Sequence, residues 1–112
     1  MQIHIKYTDF EPNDEFKEFL VKKLAFLSKL RLPKESAHAW VEVGRARRHH
    51  KEGKVWYAEC QLRLPGKKSF RATSTNYDLG SALEEVKDDL ELIINKTRDR
   101  YQGKIRRERK RK

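Results

Sequence analysis

Two alternating apolar runs flank a strongly basic turn in the stretch AHAWVEVGRARRHHKEGKVWYAECQLRL, residues 37–64. Apolar side chains fall at every second position on both sides of the turn, a pattern typical of strands with one buried face. The turn, residues 44–54, is bracketed by Gly44 and Gly53, where positive φ angles are cheap. It is longer than a simple hairpin needs. We therefore expect a hairpin whose tip holds closely spaced positive charges that attract an anion.

Before the hairpin, the sequence predicts a strand and a helix. Residues 2–8 alternate apolar and polar side chains, as a half-buried strand does. A helix is predicted from about residue 14 to Leu30, with Asn13 as its N-cap and Pro33 shortly after its end. Its apolar stripe comprises Phe16, Phe19, Leu20, Leu24, Leu27 and Leu30.

After the hairpin, a tight turn is predicted at residues 65–68 and a further strand at residues 69–74. A long helix then follows to about Gly103, capped by Asn76 or Asp78. Its apolar positions recur at helical spacing: Leu79, Ala82, Leu83, Val86, Leu90, Ile93, Ile94, Thr97 and Tyr101.

The element order β-α-β-β-β-α predicts a single α+β domain. A strand, helix and strand in succession imply a right-handed crossover, with the first two strands parallel, and the two later turns add antiparallel strands. We expect a four-stranded mixed sheet with both helices packed on one face. The other face should stay open, lined by His4, Lys6, Trp40, Tyr57, Arg63 and Arg71.

The charge balance points to a polyanionic partner. The chain has 112 residues, and 27 Lys and Arg against 17 Asp and Glu give a net charge of +10. Nucleic acid is the commonest polyanion, and an acidic membrane surface is the rival. No apolar block has the length of a signal peptide or membrane span, and the one cysteine, Cys60, cannot form an internal disulfide. We expect a cytoplasmic monomer with one domain, residues 1–103, and a basic disordered tail, residues 104–112.

The candidate RNA-binding residues lie in three basic segments and at one helix position. Arg suits phosphate because its planar fork bonds two oxygens, while Lys supplies point charge. Lys23 interrupts the apolar stripe of the first helix, so either its stem covers the core edge or a ligand anion lies there. The basic segments are the hairpin tip (Arg45, Arg47, Arg48, His50, Lys51), the late part of the last helix (Lys96, Arg98, Arg100) and the tail (Lys104, Arg106, Arg107).

Other kinds of site are less well supported by the residues. Trp40 and Tyr57 either stack bases from the open face or simply shelter the sheet. The histidines and Cys60 lack the spacing of metal ligands. His50 and Glu52 form a conceivable acid and base pair for a nuclease, but they lie on a turn and not in a cleft. We therefore predict no catalytic residue, no metal, no cofactor and no small-molecule substrate.

The ordered set of residues resembles the ribosome hibernation-promoting factors, also called ribosome-associated inhibitor or protein Y. The resemblance covers about residues 1–101. It rests on the first strand and helix (Met1 to Ile5, Phe10, Glu11, Glu18, Phe19, Lys23, Leu27), on the hairpin and turn (His50, Gly53, Leu62, Leu64, Pro65, Gly66), and on the last helix (residues 78–84, Leu90, Lys96, Arg98, Asp99, Arg100). Gly80 departs from the family, which usually has an aromatic residue there, as does Ile93, where glutamine is common.

The resemblance implies a fold akin to double-stranded-RNA-binding domains, and binding to the small ribosomal subunit in the channel of messenger and transfer RNA. Such binding would block translation and preserve idle ribosomes. It also implies that Lys23, Lys96, Arg98 and Arg100 contact ribosomal RNA. This chain is similar to the short form of the family, without the dimerisation domain that follows in long members. The rival hypotheses are a general double-stranded-RNA-binding module and, third, an RNA-processing enzyme.

Overall fold

One mixed sheet organises the domain. The computed structural model describes residues 1–30, 37–46, 55–65 and 68–110, with side chains except those of residue 46 and residues 98–110. The elements are β1 (Gln2–Thr8), α1 (Asp14–Lys23), a 3₁₀ helix (Leu24–Lys29), β2 (His38–Ala46), β3 (Val55–Arg63), β4 (Ser69–Asn76) and α2 (Leu79–Lys110). The strand order is β1-β2-β3-β4, with β1 parallel to β2 and the other neighbours antiparallel. The predicted element order and mixed sheet are confirmed.

Both helices pack on the same face of the sheet, where a single apolar core forms. Alternate residues of each strand face the helices, because side-chain direction has a period of two. The core cluster joins them to the apolar stripes of the helices: Leu20, Leu24, Leu27, Leu30, Ala39, Val41, Val43, Ala58, Cys60, Leu62, Ala72, Leu79, Ala82, Leu83, Val86, Leu90 and Ile94. The opposite face of the sheet carries polar and aromatic side chains and no helix in the described residues.

The first helix is shorter than predicted. Asn13 caps α1 as expected, since its Oδ1 accepts a 2.8 Å hydrogen bond from the Phe16 backbone nitrogen. After Lys23, however, the chain tightens into the 3₁₀ helix, and the prediction of a continuous α-helix to Leu30 was wrong. The reason lies in the spacing of the buried leucines 24, 27 and 30, which recur every three residues. That interval matches the three residues per turn of a 3₁₀ helix, so all three point to the core.

The second strand is longer than predicted, which corrects the start of the basic turn. Gly44 and Arg45 lie within β2, where Gly44 pairs with Thr8 of β1 and with Tyr57 of β3. Gly44 does not have the positive φ that we expected. It is needed for space instead, because a Cβ placed there would lie 2.9 Å from the Thr8 carbonyl oxygen.

Of the two residues predicted to cap the last helix, Asn76 and Asp78, the structure shows Asp78 in that role. Asp78 is the cap, since its Oδ2 accepts a 2.9 Å hydrogen bond from the Ser81 backbone nitrogen. Asn76 instead supports the turn, with its Oδ1 accepting from the Asp78 nitrogen at 3.0 Å. The backbone stays helical past Gly103 to Lys110. We expected disorder there, but Lys, Arg and Glu favour helix and a single glycine costs only about 1 kcal/mol. The division into domain and tail stays a prediction.

Parts of the predicted turns lie outside the described residues. These are residues 31–36, which include Pro33, most of the basic turn at residues 47–54, and Gly66 and Lys67. The ends of the turn between β3 and β4 are joined by a 2.8 Å hydrogen bond from the Leu64 nitrogen to the Lys68 carbonyl. None of the helices within the described ranges has the length and hydropathy needed to cross a membrane.

Candidate nucleic-acid interface

A row of aromatic rings on the helix face joins two of the candidate cations. The Arg45 guanidinium carbon lies 4.1 Å from the centre of the Trp56 ring, which stacks on Phe16 with centroids 5.6 Å apart. Phe16 lies 6.4 Å from Phe19, and the Lys23 ammonium lies 5.7 Å from the Phe19 ring. Cations are attracted to ring faces at these distances. The row therefore places Arg45 at one end and Lys23 at the other.

The stacking of Arg45 on Trp56 was not predicted. We had assigned Arg45 to the turn, whereas it lies in β2 directly opposite Trp56 of β3. The alternating sequence pattern could have indicated this pair. If the second strand is extended by two residues, Arg45 and Trp56 face each other across the two strands on the helix face. The ring holds the Arg45 side chain close to the sheet, so its position is set before any ligand arrives.

Lys23 lies exposed beside the beginning of α2. Its Nζ and Cε are 3.9 Å from the position that a Cβ on Gly80 would occupy. The pKa of the Asp78 carboxyl is lowered, first by its hydrogen bonds from Ser81 and to a smaller extent by the Lys23 charge. Of the two readings left open for Lys23, the structure shows the stem running past Gly80 at the core edge, with the ammonium accessible for an anion.

The other described candidate, Lys96, lies far from this pair. It is exposed on α2, 17 residues after Leu79, or about 25 Å along the helix at 1.5 Å per residue. Arg98, Arg100, Lys104, Arg106 and Arg107 continue α2, in the part where only the backbone is described. The hairpin residues Arg47, Arg48, His50 and Lys51 lie outside the described residues. The described cations therefore occupy separate places, and one flat ligand cannot touch all of them.

The open face of the sheet holds a second aromatic group, which consists of His4, His38 and Trp40. His4 stacks on Trp40 with ring centroids 5.2 Å apart, and His38 lies 5.5 Å from Trp40. The Arg63 guanidinium carbon lies 5.2 Å from the Trp40 ring centre. The sequence predicted Trp40 and Arg63 on this face but not the histidine stack. The sequence does contain an indication of this stack, since His38 and Trp40 alternate on one face of β2 and His4 lies opposite Trp40 on the parallel strand β1.

Tyr57 lies apart from this aromatic group. Trp40 pairs with Gln61, whereas Tyr57 pairs with Gly44, four residues away, or about 13 Å along the strand. The Tyr57 hydroxyl donates a 2.8 Å hydrogen bond to Glu59. Burial, and then this bond to the carboxylate, raise the pKa of Tyr57. The two aromatics named together from the sequence therefore do not form one stacking surface.

A groove of about 340 Å³ runs beside Trp40 on the open face. Its polar lining comes from three strands and includes Lys6, Glu42, Glu59, Gln61 and Arg63. Both carboxylates already have partners on this face. Glu42 accepts a 2.8 Å hydrogen bond from the Thr8 hydroxyl, and Glu59 is bonded by Tyr57 and forms an ion pair with Arg71.

Nucleophilic and metal chemistry find little support in the described residues. Cys60 is buried in the core, and burial raises the pKa of its thiol to about 12. A thiol with that pKa is protonated at neutral pH and is a poor nucleophile. Within the described ranges, no three His, Cys, Asp or Glu side chains lie close enough together to hold a metal ion.

Comparisons with known proteins agree on one family. The family model described as sigma 54 modulation protein / S30EA ribosomal protein matches residues 3–102. The N-terminal domain of Thermus thermophilus protein Y is 28% identical with a TM-score of 0.65, over 87% of this chain and 99% of that one. A ribosomal subunit interface protein from Coxiella burnetii is 15% identical with a TM-score of 0.66, over 88% and 99%, and shows the fold alone. No curated protein sequence matches. Because the family model covers nearly the whole described fold, this chain belongs to the sigma 54 modulation protein / S30EA ribosomal protein family.

Proposed function

We propose that this protein is a non-enzymatic ribosome stasis factor. It binds the small ribosomal subunit in the channel used by messenger and transfer RNA, and it inhibits translation by occupying that channel. The observation that carries the proposal is the family match over residues 3–102. The 28% identity to a protein Y domain of the same fold supports it.

The charge distribution supports ribosomal RNA as the partner. The chain has a net charge of +10, and its described candidate cations point from different parts of the surface. A duplex offers phosphates on one cylinder, whereas folded ribosomal RNA lining a channel offers them on several sides. The wide separation of Lys96 from Lys23 therefore suits a channel better than a single helix. The basic residues beyond Thr97 and in the hairpin tip add to the same contact.

Substitution of Arg45 and Lys23 tests the proposed contact with ribosomal RNA most directly among the described residues. Arg45 lies close against the Trp56 ring, so less of its side-chain freedom is lost when it meets phosphate, whereas Lys23 is exposed and contacts the Phe19 ring only at 5.7 Å. Each phosphate contact releases condensed counterions, which makes binding steeply dependent on salt.

The first experiment is cosedimentation of the protein with vacant small subunits at several salt concentrations. We expect saturable binding that transfer RNA competes away, and loss of translation in a cell extract. Changing Lys23→Gln together with Arg45→Gln should reduce the slope of log affinity against log salt by about 1.8, or about 0.9 for each lost contact. The matched control is Lys17→Gln with Lys22→Gln, which removes the same charge from exposed positions on α1.

The outcomes separate the proposal from its rival. Equal binding to any duplex RNA, with no effect on translation, would favour a general double-stranded-RNA-binding module. An unchanged salt slope in the Lys23 and Arg45 variant, or an equal change in the control, would remove these two residues from the interface while leaving ribosome binding intact.

A further inference from the structure

The open face of the sheet has no assigned role, although it carries the groove beside Trp40. We propose that this face binds an unpaired RNA nucleotide, with the base stacked against Trp40 beside Arg63 and the phosphate held by Lys6. The inference deepens the proposed RNA binding and rests on it. It adds a contact on the side of the sheet opposite the ring row that holds Arg45.

The first step is the presence of an accessible aromatic platform. Trp40 is 39% exposed, far more than a core tryptophan, although it lies in β2, an inner strand of the sheet. Its neighbours are the rings of His4 and His38, which lie within about 20–25° of its plane. Near-parallel rings of this kind keep the Trp40 ring in one orientation. A base accepts such a platform regardless of sequence, because every base has a π-face.

The second step is the charge left over at the groove. Glu42 and Glu59 are already bonded by neighbouring side chains. Lys6 and Arg63 form no ion pair with any described residue, and both are exposed. Glu59 is neutralised by Arg71, whereas Glu42 keeps its charge because its partner, the Thr8 hydroxyl, is neutral. Lys6, Arg63 and Arg71 against Glu42 and Glu59 leave one net positive charge at the groove, which favours an anionic ligand over a cationic one.

The third step is the size and chemistry of the space. A groove of about 340 Å³ lies at the lower end of the range for small-ligand sites, about 300–1,000 Å³, which suits one nucleotide better than a protein segment. The Gln61 amide lies on its wall and can both donate to and accept from a base edge. A duplex cannot use this site, because its bases are already stacked on each other.

The test uses the full chain and labelled oligoadenylate, free as a single strand or annealed to oligouridylate, without ribosomes. Fluorescence anisotropy should show that Trp40→Leu weakens binding of the single strand about 5- to 150-fold, the range for loss of one stacked base. Trp40→Phe keeps an aromatic ring and should stay close to wild type. Thr73→Ala, on the same face but outside the groove, is the matched control. Circular dichroism confirms that each variant is folded.

Two further measurements locate the contact. In nuclear magnetic resonance spectra, the indole N–H signal of Trp40 should shift with added single strand, while that of Trp56 on the other face should not. Lys6→Gln should reduce the slope of log affinity against log salt concentration by about 0.7, the value for one phosphate contact to a single strand. The control Lys17→Gln, on α1, should reduce this slope by less.

The results distinguish this inference from the proposed function. The inference is overturned if wild type and Trp40→Leu bind the single strand equally, or if the Trp40 indole signal does not shift. The proposed function is then still tested independently by cosedimentation with ribosomal subunits. An equal loss of affinity for the annealed duplex and for the single strand in Trp40→Leu also overturns it. Loss of oligoadenylate binding in Trp40→Leu, with rescue by Trp40→Phe, supports it even if ribosome binding fails.

Discussion

Replacing Gly44 with alanine should destabilise the sheet at the pairing of β1 with β2. A Cβ at this position would lie 2.9 Å from the Thr8 carbonyl oxygen and 3.1 Å from the Thr8 Cβ. Real Cβ atoms essentially never approach backbone oxygen as closely as 2.9 Å, and that oxygen belongs to a paired strand and cannot swing away. Relief of the overlap therefore requires the two parallel strands to separate locally.

The magnitude follows from two opposing effects. Forcing an extra methyl into a packed site costs about 1–3 kcal/mol. Alanine also restricts the unfolded chain, which returns about 0.4–1 kcal/mol. The net loss in the free energy of unfolding should be about 1–2 kcal/mol. With a urea dependence of about 2 kcal/mol per molar, the middle of the usual range, that loss lowers the midpoint of unfolding by about 0.5–1 M.

Urea unfolding followed by far-ultraviolet circular dichroism measures this loss, with Gly80→Ala as the matched control. At Gly80 the added Cβ would meet only side-chain atoms, Asp78 Oδ2 at 3.3 Å and the end of Lys23 at 3.9 Å. The end of Lys23 can move, and Asp78 Oδ2 has to give by only a few tenths of an ångström while it keeps its bonds from Ser81. Alanine is also the better helix former by about 1 kcal/mol, so Gly80→Ala should unfold close to the wild-type midpoint. An unchanged midpoint for Gly44→Ala, or an equal loss in both variants, would refute the reasoning from the close approach to Thr8.

Three further predictions concern titratable side chains. Hydrogen bonds from Ser74 and Asn76 of β4 lower the pKa of the Glu85 carboxyl below its ordinary value of 4.5. The stability that this carboxylate contributes is therefore complete above pH 4.5 and is lost as the pH falls through the lowered pKa. Glu85→Gln should make the free energy of unfolding depend less on pH below 4.5. The buried Cys60 thiol, with its pKa near 12, should react with iodoacetamide at pH 8 only after unfolding in urea. Burial, and then the bond to Glu59, raise the pKa of Tyr57, so the stability contributed by its neutral phenol is complete below pH 10.0 and is lost as the pH passes the raised value. Tyr57→Phe should remove one late step from the ultraviolet titration of the tyrosines.

Most of the architecture could be predicted from the sequence, because each strand is decided by a simple alternation. Two errors had different causes: one change of period that no glycine or proline marks, and one glycine that does not mark a turn. From Leu24 onward the apolar residues recur every three residues. Because the α-helical period is 3.6, this short stretch also fits an α-helix, and the sequence predicted one continuous helix. At Gly44 a glycine was interpreted as a turn signal, although its role is close approach between strands.

The candidate site was less predictable than the fold. The basic residues were visible as residue types, but their grouping depends on the register between strands and on the path of α1. The pairing of Arg45 with Trp56, and the chain of rings that leads to Lys23, follow only when the strand ends and helix position are known. The alternation could have paired Arg45 with Trp56 once the strand ends were placed correctly, but local patterns contain no information on the packing of α1 that brings Phe16, Phe19 and Lys23 to the same row.

The two tryptophans show how the topology separates folding from binding. Trp56 lies on the helix face and is covered by Phe10, Phe16 and Arg45, so it sets the position of α1 over the sheet. Trp40 lies on the opposite face, where no described helix packs. A right-handed crossover from β1 to β2 places a helix on one side of the sheet only. An aromatic ring on the other side has only its neighbours on that face to cover it, and the ring is therefore free to contact a partner.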